Sequence, residues 1–514
     1  MTADDRVLGH LRAPTPGDLH QCATRERLGL TEEECEALAP FAAQWVRALD
    51  DVEALPELVV EPGSPRSSGR RPSRDEDPLN AFIRLCDVRG AEDGPLAGRR
   101  IGIKDNIAVA GVPLTNGSRT LSFTPTQDAV VVERILAAGG TIVGKLNLDD
   151  FSASGFGDSG AFGPTRNPVR PTHSPGGSSS GSGAAVASGL VDIALGVDQG
   201  GSIRMPAAQC GIVGLKATHG LVPTTGVTHM DHTLDCIGPM ARTVADVALM
   251  LGVIAGEDWR DPQWTRHVAL DDYLAPLGDG VDGVRVGIVS EAFADPACQR
   301  PIVENLATAA SALERSGATV SQVSLPLWTS SFAIWLGTLI GGWAPMLRSN
   351  GRGTGHLGLV DVDRVHAAGV VLGDEGRLLP PTLKLALLLD SYLHERYHGV
   401  PLARAHNQRL RLRAELDAAL GSFDVLLAPT VTRVATELPA GRLEPAVAMS
   451  RIVSEVLPAV PANVTGHPAL AVPTGTDPDG LPTSLQVIGA RFAERRVLSV
   501  GAAIEAAGAS ERPR

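Results

Sequence analysis

Between Ser174 and Gly211 two clusters of glycine and serine, PGGSSSGSG and DQGGS, flank an apolar run, LVDIALGV, at residues 190–197. A run so poor in polar positions does not suit a half-solvated strand. It predicts one buried on both faces, and therefore a sheet covered on both sides by helices. The second cluster then falls where that strand ends.

The rest of the chain keeps this rhythm. IGIKDNI (101–107) reads as a strand with Ile101 and Ile103 on one face and Lys104 near its end. Asp128 is placed to cap a helix through DAVVVERILAA, which stops at Gly139-Gly140 before the strand TIVG. Thr243 with Asp246 caps VADVALMLGVIAG, and VRVGIV (284–289) is a further strand. Pro401 opens a helix with Leu412, Leu416 and Ala419 on one face, ending at Gly421, and FDVLLAP, PALAVP and SLQVIG complete the strands.

Ahead of this region, Thr31 and Glu34 form a capping box, and Leu38, Phe41, Trp45, Leu49 and Val52 recur at helical spacing, with Pro40 predicted to split the helix in two. This gives an N-terminal helical domain (1–60), an appendage or dimer contact, and a linker at 61–78 rich in Pro, Gly, Ser and charge. The remainder, 79–514, is the main α/β domain, with a less regular stretch at 290–400 expected to wall a pocket. Within that stretch Ser316 to Leu347 carries no charge and is long enough to span a bilayer. Its Ser, Thr, Gly and Pro content and its three tryptophans (Trp328, Trp335, Trp343) favour a buried helix beside an apolar pocket.

A net charge of −13 with no basic block beyond Arg70-Arg71 excludes a nucleic-acid or anionic-membrane footprint and leaves a small-molecule substrate. Six cysteines without paired spacing argue for free thiols, and the N-terminus lacks a signal-peptide pattern, so a cytoplasmic protein is expected. Three short patterns are misleading. GFGDSG (155–160) matches a dinucleotide fingerprint but does not open a helix. HERYH (394–398) matches a zinc-protease motif, yet Gly399-Val400-Pro401 follows and no third ligand is evident. GSSSG (177–181) matches a nucleophile elbow centred on Ser179, a reading that leaves DQGGS without a role.

DQGGS alone reads equally as a tight turn. After a buried strand, though, a turn at Gln199, Gly200, Gly201 and Ser202 can aim several backbone N–H groups at one point, and a serine there needs both a base and such a donor pocket. These segments together resemble the amidase signature family: IKDNI, GGSSSGSGAAVASG, DQGGSIRMPAAQCGIVGLK, ARTVADVALML, and GHPALAVP with GLPTSLQVIG occur in family order across residues 79–505. The resemblance implies an α/β/α fold around a mixed sheet and hydrolysis of a small carboxamide to carboxylate and ammonia. It implies Ser202 as nucleophile, Ser178 as bridging serine after a cis Gly177–Ser178 peptide, and Lys104 as base. It further implies an oxyanion hole from the N–H groups of Gln199, Gly200, Gly201 and Ser202, with Asp198, Arg204 and Ser182 in support. No metal or organic cofactor is implied. Gln199, Ser180 and Gln209 depart from the usual pattern; Gln199 and the TGHPA string (465–469) resemble an actinobacterial carboxamide-hydrolysing subgroup. Alternatives are the glutamine-hydrolysing component of a transamidation complex and a zinc protease at HERYH.

Overall fold

The computed structural model describes residues 11–53, 55, 66–261, 271–355, 357–373, 376–441, 443–444, 446–447, 450–451 and 456–508. The chain divides into two compact units, Met1–Glu61 and Pro62–Arg514.

In the first unit α1 (Pro16–Arg25) starts with a capping box between Thr15 and Asp18. α2 (Glu32–Glu53) starts with the expected one: Thr31 N donates to Glu34 Oε2 at 2.8 Å and Glu34 N to Thr31 Oγ1 at 3.2 Å. Contrary to expectation Pro40 does not divide α2, which stays helical through it. A proline removes one backbone donor, and on an exposed helix water can serve the carbonyl left over. Leu38, Phe41, Trp45, Leu49 and Val52 are all exposed.

The second unit is built on an eleven-stranded mixed sheet, ordered β1-β3-β2-β4-β6-β5-β10-β11-β9-β7-β8. In chain order the strands are β1 (Phe82–Arg89), β2 (Arg100–Lys104), β3 (Thr141–Leu146), β4 (Ile193–Asp198), β5 (Val213–Lys216) and β6 (Cys236–Ala241). They continue with β7 (Arg285–Val289), β8 (Thr319–Val323), β9 (Val425–Pro429), β10 (Ala469–Thr476) and β11 (Pro482–Gly489). β2 runs parallel to both β3 and β4, while β4–β6, β5–β6, β5–β10, β10–β11 and β9–β11 are antiparallel.

The apolar run behaves as its composition requires. Ile193, Leu195 and Val197 of β4 enter one core cluster and Ala194 enters another, so the strand is covered on both faces. Around the sheet lie α3 (Val130–Ala137), α4 (Ser180–Ala187), α5 (Arg204–Cys210), α6 (Val244–Ile254), the single turn α7 (Ser290–Phe293) and α8 (Arg300–Arg315). A layer of α9 (Ser331–Arg348), α10 (Val362–Gly373), α11 (Pro381–Tyr397) and α12 (Val400–Ser422) follows. Thr243 caps α6 as predicted, its hydroxyl accepting from Asp246 N.

Asp128 does not cap α3. That helix follows Ala129 without a side-chain cap, because Asp128 accepts instead from Arg66 (2.6 and 2.8 Å) and Ala110 N (2.8 Å). The Arg66 pairing, with a bridge from Arg70 to Leu85 and with Asp77 accepting from Ala81 N and Phe82 N, ties residues 66–77 to the second unit. The uncharged run 316–347 is not one helix: it contains β8, a 3-10 turn at Pro326–Ser330 and most of α9. Pro326–Arg348 is long and apolar enough to cross a membrane, but Trp328, Trp335, Leu339 and Trp343 are built into a core cluster with α11, α12 and helix Val460–Thr465.

Candidate active site

Three segments of the sheet converge behind one cavity. β2 ends at Lys104, which is fully buried. Its Nζ lies 2.8 Å from Ser178 Oγ and donates to Val197 O of β4 at 3.2 Å. Burial pushes the Lys104 amine down to about 7 from 10.5, against the opposing pull of the Asp149, Asp198 and Asp235 carboxyl groups. An amine titrating there is part neutral at pH 7, with a lone pair available to the Ser178 hydroxyl.

The first Gly/Ser cluster forms the loop into α4, and its Gly177–Ser178 peptide is cis. No side chain fits at Gly177, where a Cβ would lie 2.2 Å from Asp149 Oδ2. Asp149, in turn, is held by Gly157 N, Ser159 N and the Ser159 hydroxyl, and burial, then the Asp158 charge, lifts it to about 6. Ser179 is not an exposed elbow: it is fully buried at the N-cap of α4, its hydroxyl directed at Val197 O. Its N–H donates to Ser202 O at 3.2 Å, joining the two serine loops. Ser182 donates to Leu195 O at 3.0 Å, fastening α4 to β4.

The second cluster turns sharply after β4 because Asp198 gathers it. That carboxylate accepts from Gly201 N (2.7 Å), Ile203 N (3.1 Å), Arg204 Nε (3.1 Å) and Asn463 Nδ2 (2.8 Å). Burial alone would raise it, but the Arg204 charge and these donors hold it well below the usual carboxylate range. Arg204, also fully buried, continues to Ala459 O, Gln486 Oε1 and Asn463 Oδ1. Ser202 follows this turn and lines the cavity.

One expected oxyanion donor is corrected here. The Gly201 N–H is spent on Asp198 and is not turned to the cavity. Among the described residues the N–H groups of Gln199, Gly200 and Ser202 have no acceptor, so three donors remain. The Lys104–Ser178 contact is formed, whereas Ser202 Oγ has no hydrogen-bond partner among the described residues.

The cavity measures about 410 Å³ and reaches from Gln199, Gly200 and Ser202 to Phe332, Trp335, Leu339 and Trp343 of α9 and Leu385 and Leu389 of α11. Among the described residues no Asp, Glu, Lys, Arg or His lines it. Trp328, grouped with the pocket tryptophans from sequence, is core instead. Gln209, the polar departure before Cys210, points away and donates to Arg433 O.

HERYH does not assemble. α11 ends at Tyr397 and His398 is left-handed (φ 54°), so His394 and His398 do not share a helix face, and His394 Nδ1 lies against Asp390 O. Among the described residues no three His, Cys, Asp or Glu side chains group to hold a metal. Asn463 and Gln486 were not anticipated. Gln486 is, with Ser484, one of two polar side chains in SLQVIG, and a polar group in a fully buried strand signals a partner to be found. Asn463 carried no comparable signal.

The amidase family model matches residues 84–498. The chain is 40% identical over 488 residues to an enantioselective amidase of Rhodococcus rhodochrous, covering 93% of each. It is 38% identical over 435 residues to the A subunit of the glutamyl-tRNA(Gln) amidotransferase of Halobacterium salinarum, covering 83% of this chain and 99% of the relative. The solved peptide amidase of Stenotrophomonas maltophilia superposes with a TM-score of 0.68 at 31% identity, over 86% of this chain and 92% of the other.

Proposed function

The chain belongs to the amidase signature family and is an amide C–N hydrolase, and from that premise we propose that Ser202, Ser178 and Lys104 cleave a small carboxamide with an apolar acyl group. The observation that carries this reading is Lys104: buried, titrating near 7, and 2.8 Å from the Ser178 hydroxyl. Neutral Lys104 takes the Ser178 proton as Ser178 takes that of Ser202, whose Oγ attacks the amide carbon. The tetrahedral oxygen receives the N–H groups of Gln199, Gly200 and Ser202. Ser178 returns the proton to the amide nitrogen, ammonia leaves, and water attacking the acyl-Ser202 ester by the same relay gives the carboxylate. The contact between Ser202 and Ser178 is expected to tighten when substrate is bound. Asp198, Arg204 and Ser182 keep the two loops in place.

The second reading is hydrolysis of glutamine for transamidation, favoured by the amidotransferase relatives. The apolar lining contributed by the described residues speaks against it, because none of them offers a charged partner to the ammonium and carboxylate of glutamine. Six unpaired cysteines support a cytoplasmic location. The exposed apolar stripe of α2 supports a homodimer. The test is ammonia release from aliphatic and aromatic amides and from glutamine, with intact-mass detection of an acylated Ser202. Aromatic or branched amides should be preferred; Ser202→Ala should release no ammonia and acquire no acyl mass. Preference for glutamine would favour the second reading.

A further inference from the structure

The peptide between Gln199 and Gly200 supplies a donor to the oxyanion and is followed at once by a second glycine, Gly201. Asp198 anchors the far end of the turn through Gly201 N and Ile203 N but touches neither polar atom of this peptide. The hydrogen bond that does is made from another part of the chain: Trp335 of α9 donates its indole N–H to Gln199 O at 2.9 Å. Both residues are buried, at 7% and 1% exposure. The indole also packs against Gly200, where a Cβ would come within 2.9 Å of Cζ2, 3.0 Å of Cε2 and 3.1 Å of Nε1.

A trans peptide is planar, and its C=O and N–H point in opposite directions. Fixing the Gln199 carbonyl on α9 therefore fixes the Gly200 N–H on the opposite side of the peptide, where no acceptor among the described residues occupies it. Glycine tolerates both orientations of a preceding peptide, so without an external hold this N–H is free to turn away. Trp335 also lines the cavity with Phe332, their rings 5.8 Å apart.

We propose that Trp335 is a positioning residue of the reaction, its indole N–H holding the Gln199–Gly200 peptide so that the Gly200 N–H faces the oxyanion. The wall that receives the acyl group thereby also orients the donor that stabilises its transition state. The inference rests on Ser202 being the nucleophile.

Trp335→Phe keeps an aromatic ring on α9 and removes the donor. Expected is a fall in kcat of about tenfold, below the larger loss from deleting an oxyanion donor outright. The fall should be shared by propionamide and benzamide, with KM little changed. Phenylboronic acid, which forms a tetrahedral adduct on the serine, should lose affinity by the same factor, while benzoate should not. Should Trp335→Phe fail to fold, benzothienylalanine at position 335 keeps the bicyclic shape and lacks the N–H. An unchanged kcat, or a loss confined to KM for benzamide, overturns the proposal. Ser202→Ala run in parallel separates the two ideas: an active Ser202→Ala sinks the nucleophile assignment, whereas an inactive Ser202→Ala beside a fully active donor-less variant sinks only the role of Trp335.

Discussion

Lys104 sits in a place where a charged amine is expensive, so removing it should strengthen the fold while ending catalysis. The perturbation is Lys104→Met, of similar length and without a proton. The folded amine titrates near 7 and the unfolded one near 10.5. Between these values the unfolded chain binds the proton that the folded chain has shed, so wild-type stability rises with pH from about 7 to 10.5 and is lowest at and below 7. At pH 8 keeping the buried amine neutral costs the folded state about 3 kcal/mol. Methionine escapes that cost but forfeits the contacts to Ser178 Oγ and Val197 O, together about 1 to 2 kcal/mol. A net gain of about 1 to 2 kcal/mol is expected at pH 8, somewhat larger at pH 7 and absent by pH 10. Urea unfolding at pH 7, 8 and 10 measures it, and ammonia release at pH 8 should fall by at least about 10²-fold as the base is lost. A Lys104→Met protein less stable than wild type at pH 7, or a gain independent of pH, would refute the claim that burial sets the titration of Lys104.

Wild-type kcat/KM should show an acid limb with its midpoint near 7, since the base works only when Lys104 is deprotonated, and Lys104→Arg should be inactive from pH 5 to 9 by the same ammonia assay. Asp198→Asn leaves Arg204 buried without its counter-charge and should cost about 3 to 5 kcal/mol in urea unfolding. Gly200→Ala drives a methyl into the Trp335 indole at 2.9 Å and should lower kcat with a much smaller effect on the thermal midpoint.

What the sequence made legible was set by local chemistry. β4 announces itself because nearly every residue is apolar and α6 because Thr243 and Asp246 are three residues apart, whereas Lys104 is singled out only by the resemblance of IKDNI to the family motif. Two of the misreadings come from a competing partner, distant in one case and three residues away in the other. Asp128 had the right offset to cap α3, but Arg66, sixty-two positions away, presents two charge-assisted donors that outmatch a single backbone N–H. Gly201 reads from the sequence as an oxyanion donor, but in the fold its N–H goes to Asp198. Asn463 and Gln486 were invisible as active-site supports because only the folded sheet brings them to Arg204. The pocket tryptophans were noticed as bulk, and the use of one indole N–H depends on a contact across 136 positions.

The sheet order bears on when during synthesis this protein can first work. β1 to β6 form one block and β7 to β9 another, and in the sheet they are joined only through β10 and β11, which are translated last. A ribosome that has made the first 460 residues has already exposed every proposed catalytic group, yet β5 and β9 still offer bare edges to solvent, and Arg204 lacks Asn463 and Gln486. Such edges are the part of a nascent sheet most prone to pair with another chain. The same arrangement means that a product cut short by premature termination before residue 469 has its sheet in two unpaired halves and should be inert, making the closing strands a check on completeness as well as a seam.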